Sequence, residues 1–481
     1  MLTYSFEKRG KQSLYEYLYN CIKEDILSFR LAPDEKLPSK RALSKHLDIS
    51  TITVETAYGQ LMAEGYIYSV PKSGFFVSHI ASSERSIVTT EKEKESFAKE
   101  KSEFFADFVT NSAPSDNFPF TIWTKLMRET MSDDQKKLMV SSPSVGIYEL
   151  RKAIADYLYS FRGMKVSADR IIIGAGTEYL YGLIIQLLGR NKRYAIEDPG
   201  YRKIHHIYKA NEVDCVHVPL DESGINPEML EKSAADVLHI SPSHHFPTGI
   251  VTPISRRYEL LSWASKSADR YIIEDDYDSE FRLLGKPIPS LQSIDVLEKV
   301  IYINTFSKSL TPTIRISYMV LPEALMKKYN EKLSFYSCTV ANFEQYTLAS
   351  FIRKGNFEKH INRMRNFYRS QRDELMQIIR SHPFYENVTV TEENSGLHFL
   401  LTIKTDLSDE ELIKKAREKG INVSTLSQYY ADRRNSKEHT LIINYSGLEK
   451  EKMKEAVERL FQFTIHNAQC TIAPNSAIDE G

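Results

Sequence analysis

Cysteine is scarce in this chain. Its 481 residues carry four, Cys21, Cys215, Cys338 and Cys470, spread too widely for metal-ligand spacing. That usage fits a reducing compartment rather than a disulfide framework. Long apolar runs are absent as well. No stretch approaches the ~20 residues of a membrane span, and the polar N-terminus lacks the apolar core of a secretory signal. The expected location is the cytoplasm, with no membrane partner. Charge of one sign is missing too: 63 Lys and Arg face 64 Asp and Glu, a formal net charge of −1. Whole-chain electrostatics therefore carries no argument for nucleic acid or lipid. What is present is ordinary globular material, 42% hydrophobic and 26% charged. The chain is too long for one core, so two or more domains are expected.

The first eighty residues read as three helices and a hairpin. Leu14, Leu18, Ile22 and Ile26 recur at helical spacing over about residues 12–29. After the loop from Leu31, Ser39 is placed to cap a second helix with Ala42, Leu43 and Leu47 inward. Ser50 is placed to cap a third running to Ala63, with Val54, Ala57, Tyr58, Leu61 and Met62 as its core stripe and Gly65 to end it. Tyr66–Val70 and Phe75–Ser78 then flank Pro-Lys-Ser-Gly, a hairpin signature. Three helices with a tight turn between the second and third, then a hairpin, make a winged helix-turn-helix. Its third helix would reach base edges and its hairpin the backbone or minor groove.

The pattern Leu-Pro-Ser-Lys-Arg-Ala-Leu-Ser-Lys-His-Leu, followed by Ser-Thr-Ile-Thr-Val-Glu-Thr-Ala-Tyr-Gly-Gln-Leu-Met-Ala-Glu-Gly-Tyr-Ile, closely resembles the GntR-type winged helix over residues 11–78. The resemblance implies binding to a double-stranded DNA operator. Lys36, Lys40, Arg41 and Lys45 would position on phosphates, with Ser39 also among the DNA-binding residues. Thr51, Ile52, Thr53, Glu55 and Thr56 would lie within reach of the bases, with the capping Ser50 beside them and Lys72 and Gly74 on the wing. Thr51 stands where the family usually has arginine, so a bidentate guanine contact is missing there. Residues 1–80 hold ten basic and nine acidic side chains, so charge alone does not distinguish this module from a small structural domain.

From His79 to about Asp107 the composition shifts to Ser, Thr, Glu and Lys, as in a tether. Beyond it, short β-branched runs alternate with helical patterns, as in a parallel-sheet α/β domain. Ile171-Ile-Ile leads into Gly-Ala-Gly-Thr and a helix from about Thr177, a turn whose free amides suit phosphate. Tyr194-Ala-Ile-Glu ends in Asp198-Pro-Gly-Tyr201, where Tyr201 is placed to stack on a planar ring. Val237-Leu-His-Ile leads into a polar loop with His244 and His245. No carboxylate or cysteine pattern accompanies that pair, and no metal is expected. Tyr271-Ile-Ile-Glu-Asp-Asp-Tyr ends in Asp275 with a phenol, Tyr277, two residues on. Val300–Leu321 sets Lys308 in a polar turn between two apolar strands, flanked by Thr305 and Arg315. A lysine kept from water loses basicity and gains nucleophilicity, and a hydroxyl plus guanidinium suit a phosphate monoester.

Four motifs in order, Glu-Asp-Pro-Gly-Tyr, Pro-Ser-His-His-Phe-Pro-Thr-Gly, Glu-Asp-Asp-Tyr-Asp-Ser-Glu-Phe and Thr-Phe-Ser-Lys-Ser-Leu, resemble the fold type I aminotransferases over about residues 110–465. With the upstream winged helix, the whole resembles the MocR/GabR family of bacterial transcription regulators. The resemblance implies pyridoxal 5′-phosphate as cofactor. Lys308 would form the internal aldimine, Asp275 pair with the pyridine nitrogen, Tyr277 hydrogen-bond the ring oxygen and Tyr201 stack on the ring. Gly176, Thr177, Thr305 and Arg315 would hold the phosphate. It also implies a small amine or amino-acid effector and a head-to-tail homodimer. Two departures stand out. Phe246 occupies the place of the asparagine that helps hold the ring oxygen. Ile442 occupies the place expected for a substrate-carboxylate arginine, with Arg433 and Arg434 the nearest substitutes and Lys203, two after Tyr201, placed to offer a second cationic contact. Transamination is therefore expected to be weak if present; the rival reading is a working aminotransferase carrying a DNA-binding domain.

The expected fold is α/β: a winged helix-turn-helix (11–78), a charged linker (79–107), a fold type I aminotransferase-like domain (108–465) with a small C-terminal α/β lobe, and a polar, disordered tail (466–481).

Overall fold

Three serines start the N-terminal helices. Ser13, Ser39 and Ser50 cap α1 (Leu14–Leu27), α2 (Lys40–Leu47) and α3 (Thr51–Ala63), the latter two by accepting the Ala42 and Thr53 backbone N–H. Those two hydroxyls each satisfy a donor that the helix itself leaves open, while Ser13 bonds the Glu16 carboxylate through its N–H and hydroxyl. The computed structural model describes residues 2–6, 9–10, 12–79, 104–110, 115–133, 135–283, 288–393 and 396–468. It divides into two compact units, Met1–Lys101 and Ser102–Gly481. Most of the expected linker, and the expected tail beyond residue 468, lie outside the described residues. No helix among the described residues is long and apolar enough to cross a membrane.

In the first unit, Leu18, Ile22, Ile26, Leu43, Val54, Ala57, Tyr58 and Leu61 form one buried cluster with Ile67 and Val77 of the hairpin. Met62, expected in the stripe, is instead 36% exposed. It follows Leu61 by one residue, about 100° further round the helix and past the packed face. The hairpin pairs β1 (Ile67–Val70) with β2 (Gly74–Val77), and the Val70–Gly74 pair closes a loop in which Lys72 has φ 62°. The loop before α2 adds to β2: Leu37 N–H donates to Phe75 O at 2.9 Å and Val77 N–H to Glu35 O at 3.0 Å. The wing thus has a third extended segment that apolar patterning did not reveal.

The second unit is built on an eight-stranded sheet. In spatial order its strands are Ile171–Gly174, Ser317–Val320, Val300–Thr305, Tyr271–Asp275, Val237–Ile240, Arg193–Asp198, Asp214–Asp221 and Gly224–Ile225. The central strands are parallel and buried along their length, which is why they read as unbroken apolar runs. The sheet is not wholly parallel: Ser317–Val320 runs antiparallel to both neighbours, with Thr305 opposite Ser317. The segment 306–316 is too short for a parallel crossover, which takes about a dozen residues or more with its helix. The chain therefore turns back at the strand end, and Lys308 sits on a single helical turn, Phe306–Ser309.

The helical stretch after Pro322 is three helices, Glu323–Lys332, Asn342–Arg353 and Asn356–Ser381. A four-stranded sheet follows in the order Val388–Thr391, His398–Ile403, Thr440–Asn444, Ser424–Thr425, packed with helices Asp409–Glu418 and Lys450–Ala468.

Candidate functional site

Gly174, Asp198, Ile240, Asp275 and Thr305 end parallel-running strands on one edge of the large sheet. Ligands of open α/β sheets bind at such carboxyl ends. Asp275 ends its strand buried. One carboxylate oxygen, Oδ2, accepts the Tyr181 hydroxyl in a short bond and lies 3.6 Å from His239 Nε2. The other, Oδ1, is buried with no hydrogen-bond partner. Tyr181 also meets the Thr177 hydroxyl, so one chain of bonds joins the glycine turn to the carboxylate.

The loop after this strand is held from below. Asp276 Oδ2 accepts Arg162 Nη2 at 2.6 Å, Tyr302 O–H at 2.6 Å and Ser279 O–H at 2.8 Å, all buried. A buried carboxylate oxygen held by three donors fixes backbone direction, and the backbone it fixes carries Tyr277; the other oxygen of Asp276, Oδ1, is buried without a partner. The Tyr277 oxygen lies 3.3 Å from His244 Nδ1, and His244 Nδ1 lies 2.8 Å from Asp278 Oδ2. Burial drives the Tyr277 phenol well above its ordinary range, so it stays protonated. Burial also lowers the Lys308 amine from its ordinary value, with the Asp278 charge opposing that shift.

At the other end of the site, Gly176 has φ 95° and opens helix Thr177–Leu188. A Cβ on Gly176 would stand 2.4 Å from Arg315 Nη2, so glycine is what lets the guanidinium lie over the turn. Arg315 Nη2 reaches Glu178 Oε2 at 3.4 Å, and Lys203 forms a short bond to the same carboxylate, holding it below the usual range. Two cations and the N-terminus of a helix thus surround the Glu178 carboxylate. Lys203 is engaged by Glu178 in this structure. Thr305 is buried and largely occupied: its hydroxyl accepts Ser307 N–H at 3.1 Å and Ser317 O–H at 2.8 Å and donates to Ile316 O at 3.4 Å. Neighbouring Ser307 Oγ, which sequence reasoning passed over, is buried with no partner.

Tyr201 is 49% exposed and meets Phe246 edge-on, ring centroids 6.0 Å apart. Phe246 also packs on His398 and Tyr429, and behind it Ile442 is buried with Leu400 and Leu426. The place expected for an arginine is an apolar wall. Arg433 and Arg434, the expected substitutes, pair with Glu410 at 3.0 Å and Asp432 at 2.6 Å. Beside the wall, burial pushes the Glu197 carboxyl up to about 8 and pushes His245, close to His244, down to about 3. Among the described residues no group of three or more His, Cys, Asp or Glu is placed to hold a metal ion.

On the first unit, Ile52, Thr51 and Thr56 are exposed along α3, and Arg41 and Lys72 are exposed on α2 and the wing. Lys40 is tied to Glu55 at 2.7 Å and lies 5.4 Å from the Phe75 ring centroid, and Lys36 lies 5.9 Å from that of Phe76. Ser39, Ser50 and Thr53 are bonded within the helix caps, and Gly74 has φ 121° at the wing turn.

Comparison with known proteins covers both units. The family described as Bacterial regulatory proteins, gntR family, matches residues 14–77, and Aminotransferase class I and II matches residues 107–460. The uncharacterized HTH-type transcriptional regulator YdeL of Bacillus subtilis is 39% identical over 450 residues, 93% of this chain and 96% of that protein. The probable rhizopine catabolism regulatory protein MocR of Rhizobium meliloti is 27% identical over 465 residues, 93% of each chain. Among solved structures, the multiple substrate aminotransferase of Thermococcus profundus superposes with a TM-score of 0.68 at 23% identity, covering 77% of this chain and 94% of that one. That likeness speaks to the fold.

Proposed function

Since the chain belongs to the MocR-type HTH transcriptional regulators, a gntR-family DNA-binding domain joined to an aminotransferase class I and II domain, we propose that it holds pyridoxal 5′-phosphate in the second unit and senses an amine or amino acid there. When bound, that cofactor supplies an amine-reactive aldehyde and an electron-withdrawing pyridinium. The residues fit it. Asp275 Oδ1, a buried acceptor without a partner, suits a protonated ring nitrogen. Arg315 over Gly176, with the helix amides and the unpartnered Ser307 hydroxyl, suits the phosphate. Lys308, made less basic by burial, is the amine to hold the aldehyde carbon. Tyr277 keeps its proton to donate to the ring oxygen, and Tyr201 offers a face for stacking. Glu178 must yield its two cations to a phosphate, so Lys203 becomes a second counter-charge on binding.

The single observation that carries this reading is Lys308 on its turn at the same strand edge as the open oxygen of Asp275, Thr305 standing opposite Ser317 and Ile303 beside Asp275. The apolar wall at Ile442 weighs against efficient handling of α-amino acids as transaminase substrates and toward sensing. In the cytoplasm, a head-to-tail homodimer would carry two winged helices to paired half-sites of an operator. An effector shifts DNA affinity only by its differential affinity for two dimer conformations, about 1–3 kcal/mol of coupling. The test is the absorbance of the purified chain with pyridoxal 5′-phosphate. A band that vanishes in Lys308→Ala, and that one amine of a panel shifts together with operator affinity, supports sensing. No band in the wild type sinks it.

A further inference from the structure

The first two turns of α3 keep their threonine hydroxyls engaged within the molecule. Ser44 Oγ donates to Arg41 O at 3.1 Å, so the 3.2 Å contact of Thr51 Oγ1 with Ser44 Oγ uses the threonine's proton. Thr56 Oγ1 donates to Ile52 O at 2.9 Å, and Thr53 Oγ1 shares a 2.8 Å bond with the capping Ser50. A hydroxyl has one proton to give, so Thr51 and Thr56 have none left for a base edge. The Glu55 carboxylate is neutralised by Lys40 at 2.7 Å.

Amid these, Ile52 is 74% exposed, more than any other large hydrophobic residue described in the first unit. Thr56 and Gly59 follow it at i+4 and i+7, so the three share one outward line. A Cβ at Gly59 would meet nothing within 4 Å. No crowding inside the molecule calls for glycine there, although glycine disfavours a helix interior. The bare position makes sense against something outside the chain.

We infer that Ile52 is a specificity-determining residue that reads the C5 methyl of thymine in the major groove, flanked by the Thr51 and Thr56 methyls, with Gly59 leaving room for the duplex. The thymine methyl is the apolar feature of that groove, and a winged helix sets the N-terminal turn of its third helix into it. The inference rests on the DNA-binding half of the proposed function and is independent of the effector.

In the test, full-length protein selects duplexes from a random pool, and each selected thymine is replaced in turn by deoxyuridine, which removes only the methyl. At one or two positions per half-site the replacement should weaken binding about fourfold, the worth of one buried methyl-sized group. Ile52→Ala, melting like the wild type, should no longer tell thymine from deoxyuridine there. Gly59→Ala should melt higher yet bind every selected duplex more weakly. Tolerance of deoxyuridine at all positions, or an unchanged penalty in Ile52→Ala, overturns the inference. A wild type that binds no duplex at all removes the DNA-binding reading and the inference with it.

Discussion

Replacing Asp275 by asparagine should move cofactor affinity and apoprotein stability in opposite directions. The side chain is buried, with one oxygen bonded to Tyr181 and the other without a partner. Burying a carboxylate whose nearest counter-charge is His239, 3.6 Å from Oδ2, carries a desolvation cost that reaches several kcal/mol when the charge is uncompensated. The isosteric amide removes that charge and keeps the Tyr181 bond in a neutral form, a loss of about 1 kcal/mol since charge-assisted bonds are roughly twice as strong. The net change favours the folded apoprotein. At about 2.1 cal/mol/K per residue, a unit of this size gains on the order of 1–2 °C in Tm per kcal/mol. Toward the cofactor, the lost partner of a pyridinium N–H is worth about 1.5–3 kcal/mol, so affinity should fall roughly ten- to 150-fold. Scanning calorimetry of apoprotein and a spectrophotometric titration with pyridoxal 5′-phosphate read the two effects separately. An Asp275→Asn protein that melts lower and binds the cofactor as the wild type does would refute the assignment of Oδ1 to the ring nitrogen.

Other consequences follow from particular contacts. Glu197 is raised from 4.5 to about 8 by burial, so between those values the folded state holds a proton the unfolded state has lost. Stability should fall as pH rises through that window, and Glu197→Gln should flatten the slope in denaturant melts from pH 5 to 8. Arg41→Ala should weaken binding to all duplexes alike and lower the salt slope by about 1, as loss of a phosphate contact does; a changed base preference would remove α2 from the backbone. Ser50→Ala deletes the cap of α3 and should lower stability of the first unit by about 0.5–2 kcal/mol in a chemical melt.

The parts of the site that can be read from the chain are those whose role is local. Lys308, Asp275 and Tyr201 each lie at or just beyond the end of a short apolar run, and the ends of such runs converge on one sheet edge whatever the strand order. The capping serines are legible for the same reason, since each acts on an amide three residues away. Met62 departs from the expected stripe because a one-residue step past Leu61 carries a side chain off the packed face while leaving its hydrophobicity unchanged.

Partners distant in sequence leave no such trace. Tyr181 reads as one more apolar residue of a buried helix, yet its hydroxyl ends on Asp275, 94 positions on. His239 reads as an inward strand residue, and only strand order brings it beside that carboxylate. Glu178 and Lys203 lie on separate helices, so their pairing leaves no mark in the sequence. The same limit governs hydroxyl groups. Thr305 and Ser307 are two residues apart and chemically alike, but Thr305 is turned into Ser317 and Ile316 while Ser307 keeps a buried oxygen unpaired. A side chain's availability to a ligand is what remains after its neighbours have taken their share. That remainder depends on antiparallel pairing of Thr305 with Ser317, which follows from the shortness of segment 306–316 and not from the identity of either hydroxyl residue. A Ser307→Ala protein should therefore lose affinity for pyridoxal 5′-phosphate by roughly three- to tenfold, the worth of one hydrogen bond, with little change in apoprotein melting. Ser317→Ala should lower the melting temperature instead, because it strips a donor from a buried Thr305. If Ser307→Ala costs stability and leaves the titration unmoved, the unpaired oxygen has a structural role and the phosphate is held without it.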